Sequence, residues 1–77
     1  MSPETLRMWL AKRPFEPFRV TTSSGETFDV RHPEMAMLTM REFLVGIGER
    51  DGIPARYKTV ALQHITAVEP LDSATAA

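Results

Sequence analysis

Residues 18–31 have the sequence FRVTTSSGETFDVR, which predicts a β-hairpin. Apolar and polar residues alternate on both sides of residues 23–25, beginning at Phe18 and ending at Val30. A period of two is typical of a strand with one buried face. Gly25 can adopt the positive φ that a tight turn requires. We therefore expect two antiparallel strands joined by a short turn.

The residues before this hairpin predict one short α-helix over residues 2–13. Ser2 is a favourable N-cap, and Pro3 suits the first helical position. Apolar side chains recur at the i, i+3 and i+4 spacing of one helix face: Leu6, Trp9 and Leu10. Pro14 ends the helix, because proline cannot continue the backbone hydrogen-bond pattern. A helix of about three turns is marginal alone, so we expect it to pack on the strands.

The residues after the hairpin predict further short strands. Pro33 cannot donate to a sheet, so residues 32–34 are expected to form a bend, a bulge or an edge. Strands are predicted at residues 35–40, 43–47, 57–62 and 65–68, with a loop at 48–56 and a tight turn at Gln63-His64. The fold class is therefore mainly β with an N-terminal α-helix, and turn signals every ~8 to 12 residues are typical of a sandwich or a small barrel. We predict a five-stranded antiparallel small barrel, because closure removes most unpaired sheet edge.

The composition fits one small globular domain. The chain has 77 residues, of which 43% are hydrophobic and 25% charged, and a chain of this length buries only roughly 60% of its extended surface. We assign residues 1–70 to this domain and residues 71–77 to a flexible tail. No apolar run approaches the ~20 residues of a membrane span, and Glu4 and Arg7 interrupt the early apolar stretch that a signal peptide needs. We therefore expect a soluble, cytoplasmic protein.

The sequence offers little for catalysis or metal binding. With no cysteine, disulfides, thiolate metal sites and cysteine nucleophiles are excluded. His32 and Glu34 share a face if they lie in a strand, and with His64 they would make a minimal metal set. We favour a strand bend for His32 and solvent exposure for Glu34. Ser23 and Ser24 occupy a turn without a nucleophile elbow, so we predict no enzyme, no cofactor, no metal site and no small-molecule substrate.

The order of one helix, five strands and a tight turn before the last strand resembles Sm-like and SH3-like small barrels. The segment VALQHITAVE, residues 60–69, looks like the strand, single turn and strand that close an Sm-like barrel. The chain is also similar to a set of short uncharacterised bacterial proteins, in the segments Arg13-Pro14-Phe15, Pro17-Phe18-Arg19, Ser24-Gly25, Val30-Arg31-His32-Pro33-Glu34, Asp51-Gly52 and His64-Ile65. That set has no assigned activity, so the similarity bears on the fold alone.

The Sm-like resemblance implies a ring of subunits that binds single-stranded RNA. Sm-type RNA sites carry an Asp and Asn pair in the loop after the second strand and a basic, glycine-containing loop before the last strand. This chain contains no Asn; it has Pro33-Glu34 in the first of these loops and Gln63-His64 in the second. These differences from the Sm-type loops weaken the expectation of RNA binding. The expectation of a ring of subunits remains, because it rests on the pairing of strand edges.

Four cations within the first 19 residues form a candidate nucleic-acid patch: Arg7, Lys12, Arg13 and Arg19. Such residues neutralise phosphates. The same pattern is typical of a solvated helix face whose long side chains cover the core. The formal net charge of −1 gives no global attraction to nucleic acid, so binding of single-stranded RNA or DNA is the alternative function.

The principal prediction is a non-enzymatic, homo-oligomeric interaction and assembly module. Residues 35–40 place apolar side chains on both faces of a strand, and a 77-residue monomer has difficulty covering both. A second copy would cover the surplus surface. The candidate interface consists of Trp9, Met35, Met37 and Met40. The alternative for these residues is a core-filling strand, with Trp9 capping the barrel.

Overall fold

The computed structural model describes residues 1–71, which form one α-helix and six β-strands. The elements are, in chain order, α1 (Pro3–Ala11), β1 (Phe18–Thr22), β2 (Thr27–Val30), β3 (Ala36–Leu38), β4 (Glu42–Ile47), β5 (Arg56–Ala61) and β6 (Ile65–Pro70). Two 3₁₀ helices, Pro33–Met35 and Leu62–His64, separate β2 from β3 and β5 from β6. A mainly β fold with an N-terminal helix is therefore confirmed.

The helix α1 is shorter than the predicted span of residues 2–13. Ser2 Oγ accepts a hydrogen bond from the Thr5 N–H at 3.4 Å, which is the N-cap contact that its position predicts. Lys12 already leaves the helix, with ψ at 136°, one residue before Arg13, whose helical conformation is disfavoured by Pro14. Leu6 is fully buried, and through it the helix packs on the sheets.

The first sheet has the strand order β2-β1-β6 and contains the predicted hairpin. Its β1–β2 pair is antiparallel, with Phe18 opposite Val30 and Val20 opposite Phe28. Gly25 in the connecting turn has a φ of 92°, a conformation that residues with a Cβ rarely adopt. The strand β6 pairs antiparallel with the other side of β1, so the last strand lies beside the first.

The second sheet has the order β3-β4-β5 and is separate from the first. The prediction of a closed five-stranded Sm-like or SH3-like barrel is therefore wrong. Pro33 has no N–H for a strand ladder, and the chain forms a 3₁₀ turn in which the Met35 N–H donates to the His32 carbonyl at 3.0 Å. This turn confirms the expected bend, shortens the predicted strand 35–40 to β3, and places β2 and β3 in different sheets.

One hydrophobic core is shared by both sheets and the helix. Phe18 and Val20 of β1 and Phe43 and Val45 of β4 are buried in the same cluster as Leu6. In each strand the two buried residues lie two positions apart, since alternate side chains of a strand point to the same face. The period-two pattern therefore places these residues in the core.

The last described residue continues the packed chain past Pro70. Leu71 is buried, and its N–H donates to the Pro17 carbonyl at 3.0 Å. The tail predicted for residues 71–77 lies, from residue 72 onward, outside the described residues. Within residues 1–71, no helix combines the length and apolar character needed to cross a membrane.

Candidate functional site

Two of the three methionines predicted for an interface are exposed. Met37 exposes 54% of its surface and Met40 exposes 87%. Met35 exposes only 3%, because it lies in the 3₁₀ helix and not in a strand, and its methyl group packs against Gly46. Met35 is therefore a core residue, and Met37 and Met40 remain as surface candidates.

Trp9 packs inward. Its ring centroid lies 5.6 Å from that of Phe18, and it is one of the half-buried residues that pack against the core. Lys12 Nζ lies 4.0 Å from the Trp9 ring centroid, a distance at which a cation is attracted to the ring face. These contacts favour the capping alternative for Trp9 over the interface.

A short turn between β3 and β4 presents Met40. The Thr39 N–H donates to the Glu42 carbonyl at 2.9 Å, and Thr39 Oγ1 accepts from the Glu42 N–H at 2.9 Å and from the Arg41 N–H at 3.4 Å. A threonine hydroxyl that bonds to nearby backbone in this way stabilises a turn. The side chains of residues 40–42 are thus displayed from a fixed backbone.

A groove of about 800 Å³ lies beside this turn, and we call it the Met40 groove. Its apolar lining comes from three separate parts of the chain: Met1 and Pro3, Met40, and Ala61 with Leu62. The Met1 amino group donates to the Leu62 carbonyl at 3.1 Å, and the Leu62 N–H donates to the Arg41 carbonyl at 2.9 Å. These two hydrogen bonds hold the three parts of the chain together.

Two opposite charges, Arg41 and Glu42, line the Met40 groove. Both residues are exposed, and over residues 1–71 neither side chain forms an ion pair or a side-chain hydrogen bond. Residues 41–42 fall between the predicted strands 35–40 and 43–47, and the sequence pattern did not indicate them as site residues. The signal that the sequence offers is two adjacent residues of opposite charge directly after a methionine.

Three of the four predicted patch cations bind within the chain. Lys12 Nζ lies 3.3 Å from Glu16 Oε1, Arg13 donates to the Leu10 and Lys12 carbonyls at 3.1 and 2.7 Å, and Arg19 pairs with Asp29. Arg7 is exposed and lines a second groove of about 420 Å³ together with Met40. Lys12, Arg13 and Arg19 therefore bind separate acceptors within the chain.

Asp29 holds Arg19 in the first sheet. Arg19 Nε donates to Asp29 Oδ1 at 2.8 Å and Nη2 donates to Oδ2 at 3.4 Å, because the two residues are opposite each other in the β1–β2 register. This hydrogen bond, followed by the charge of Asp29, raises the pKa of Arg19. For Arg19 itself, the raised pKa means that its contribution to stability is fully present below the ordinary pKa of arginine and is lost as the pH rises through the raised value. Both side chains are about one third exposed, so water screens their attraction and the pair contributes little to stability.

The two histidines lie in different parts of the structure. His32 Nε2 lies 3.6 Å from Glu49 Oε2, and His64 lines a different groove beside Ser23 and Ser24. In the part of the chain that the structure describes, no three His, Asp or Glu side chains are grouped closely enough to hold a metal ion. The structure thus does not bring His32, Glu34 and His64 together as ligands.

Known proteins give no direct guide to this surface. No protein-family model, curated protein or solved structure matches the chain. The resemblance to short bacterial proteins stays a prediction. The function is therefore argued from the exposed methionines, the Met40 groove and the two charges that line it.

Proposed function

We propose that this protein is a non-enzymatic interaction module that associates with further copies of itself through the surface formed by Met37, Met40, Arg41 and Glu42. The observation that carries the proposal is the exposure of Met37 and Met40, at 54% and 87%, on and just after an edge strand. Met37 directly follows the buried Ala36 in β3, and Met40 lies in the turn after β3. Their exposure is therefore a property of the fold.

Burial of these side chains supplies a driving force for association. Moving a methionine side chain from water into an apolar environment is worth about 1.5–3 kcal/mol. Methionine is flexible and polarisable, so it adapts to a partner surface at little cost in strain. Met40 lines a groove together with Met1 and Leu62, and Met37 is exposed three residues before it, so both side chains gain from being covered.

The strand β3 adds a backbone contribution. It pairs with β4 on one side only, and no other described strand pairs with its outer edge, although α1 contacts β3. An unpaired edge is a template for pairing with another chain. Since β3 has three residues, this edge adds only a few hydrogen bonds, and the methionines carry most of the association.

Size-exclusion chromatography with light scattering tests the proposal. We expect the wild-type chain to elute as an oligomer at high micromolar concentration and the variant Met37→Ser/Met40→Ser to elute as a monomer. Met8→Ser is the matched control, because Met8 is 69% exposed on α1 and does not line the Met40 groove. A wild-type chain that stays monomeric at high micromolar concentration refutes self-association.

The nucleic-acid alternative has weaker support. Lys12, Arg13 and Arg19 already bind acceptors within the chain, and a phosphate would have to compete with those contacts. Catalysis has weak support too. Ser24 Oγ lies 3.0 Å from Thr22 Oγ1, and a threonine hydroxyl is not a base. Both observations favour association as the function.

A further inference from the structure

We infer that the self-association is a closed two-fold dimer in which Met40 of each copy enters the Met40 groove of the other and Arg41 pairs with the partner's Glu42. The inference rests on the proposed function and makes it specific. It names the partner as one further copy and assigns a role to two charged residues whose side chains form no ion pair within residues 1–71. It also fixes the number of copies at two.

The shape of the surface is complementary to itself. In a two-fold interface the same patch meets itself, so that if residue i contacts residue j of the other copy, then j also contacts i. Met40 is 87% exposed and lies directly beside a groove with an apolar lining. A protruding apolar side chain next to a groove is the arrangement that a two-fold rotation turns into two mutual insertions.

The two-fold rotation also brings the opposite charges of the two copies together. Arg41 and Glu42 are adjacent, exposed and of opposite sign, and neither is neutralised among the described residues. When the patch meets its own image, each cation faces an anion and two identical ion pairs form. The net charge of −1 per chain leaves little long-range repulsion between the copies.

The backbone that carries this surface is ordered before any partner binds. Four hydrogen bonds within residues 39–42 fix the turn, and the contacts of Leu62 with Met1 and Arg41 fix the groove. Preorganised surfaces lose less entropy on association. A standard interface takes roughly 800 Å² from each partner, which is a modest share of the 5070 Å² that the chain exposes.

Charge exchange at residues 41 and 42 tests the inference, with light scattering and sedimentation equilibrium as readouts. In the proposed dimer, residue 41 of each copy faces residue 42 of the other. Either single variant, Arg41→Glu or Glu42→Arg, therefore places two residues of like charge opposite each other at both of these contacts. We expect each variant to raise the dimer dissociation constant roughly tenfold or more. The double variant Arg41→Glu/Glu42→Arg restores both opposite-charge pairs and should dimerise like the wild type.

Mixing the two single variants gives the sharpest result. A heterodimer of Arg41→Glu with Glu42→Arg has two opposite-charge pairs and none of like charge. We therefore expect the mixture to dimerise where each component alone is monomeric. Arg50→Glu is the control, since Arg50 is an exposed arginine in the β4–β5 loop, and it should leave the dissociation constant unchanged.

The outcomes separate this inference from the proposed function. If the wild type dimerises and both single variants dimerise equally well, the two-fold contact is overturned while self-association stands. The same holds if the mixture of the two single variants fails to dimerise. A trimer, ring or filament also overturns it, because a closed two-fold contact stops at two copies. A wild-type monomer refutes self-association itself.

Discussion

Among single residues, Gly46 sits where a side chain has no room. A Cβ at this position would lie 2.7 Å from Met35 Cε and 2.8 Å from Pro54 Cβ, and the proline ring cannot swing away as a methionine methyl group can. Overpacking of a core typically costs about 1–3 kcal/mol. We therefore expect Gly46→Ala to lower the free energy of unfolding by about that amount, measured by urea denaturation.

A double-mutant cycle separates crowding from loss of glycine as such. Met35→Ala removes one of the two contacts that a new Cβ would violate, so Gly46→Ala should cost less in the Met35→Ala background than in the wild type. Equal costs in both backgrounds would contradict the crowding explanation. Gly46 does not have a positive φ, so backbone conformation does not account for the expected loss.

Met35 and its neighbour Met37 show what a pattern of apolar residues cannot reveal. Met35 and Met37 are two apart, and alternation predicts that they share one face of a strand. In the structure Met35 is buried and Met37 exposed. The 3₁₀ turn at Pro33–Met35 shifts the phase of the chain just before β3, and a local pattern of apolar residues contains no mark of that shift.

At the scale of one element, α1 depends on a single fully buried side chain. Leu6 is 0% exposed and is the buried residue of the helix, while Met8 on the same helix is 69% exposed. Large-to-small changes of a buried leucine typically cost about 2–5 kcal/mol. We expect Leu6→Ala to lower the denaturation midpoint strongly and Met8→Ala, the matched control, to change the free energy by about 0.5 kcal/mol or less.

Trp9 provides the readout for this helix. It is the single tryptophan of the chain and packs against Phe18 of β1, so its fluorescence reports whether the helix is docked. If Leu6→Ala unfolds the whole chain, the milder Leu6→Val should still lower the midpoint. Unchanged fluorescence midpoints for both variants would show that Leu6 does not hold the helix on the sheets.

The elements themselves were largely predictable, and their assembly was not. Ser2, Pro3 and Leu6 predict a helix, and the alternation from Phe18 to Val30 predicts a hairpin. Both elements were predictable because each depends on residues that are close in sequence. Barrel closure depends on hydrogen bonds between distant strands. Pro33 indicated a bend, yet nothing local shows that the bend separates the strands into two sheets.

At the scale of the whole molecule, the Met40 groove illustrates the limit for sites. Met1, Met40 and Leu62 line one groove although they are far apart in sequence. Met40 was predicted from its apolar segment. The groove beside it and the roles of Arg41 and Glu42 emerge only when the N-terminus, the β3–β4 turn and the end of β5 come together. A site built from three segments leaves no motif in any one of them.

The charge distribution of the whole molecule gives the last prediction, which concerns nucleic acid. Lys12, Arg13 and Arg19 are engaged within the chain, so Arg7 is the patch cation left for a phosphate. Each phosphate contact to a single strand contributes a slope of about −0.7 to log K against log salt. We therefore expect a slope no steeper than about −0.7 for a short single-stranded RNA titrated against salt. A slope near −2 or steeper, made shallower by only about 0.7 in Arg7→Gln and unaffected by the control Arg50→Gln, would mean that phosphates displace the internal contacts of the other cations and would favour nucleic-acid binding over self-association.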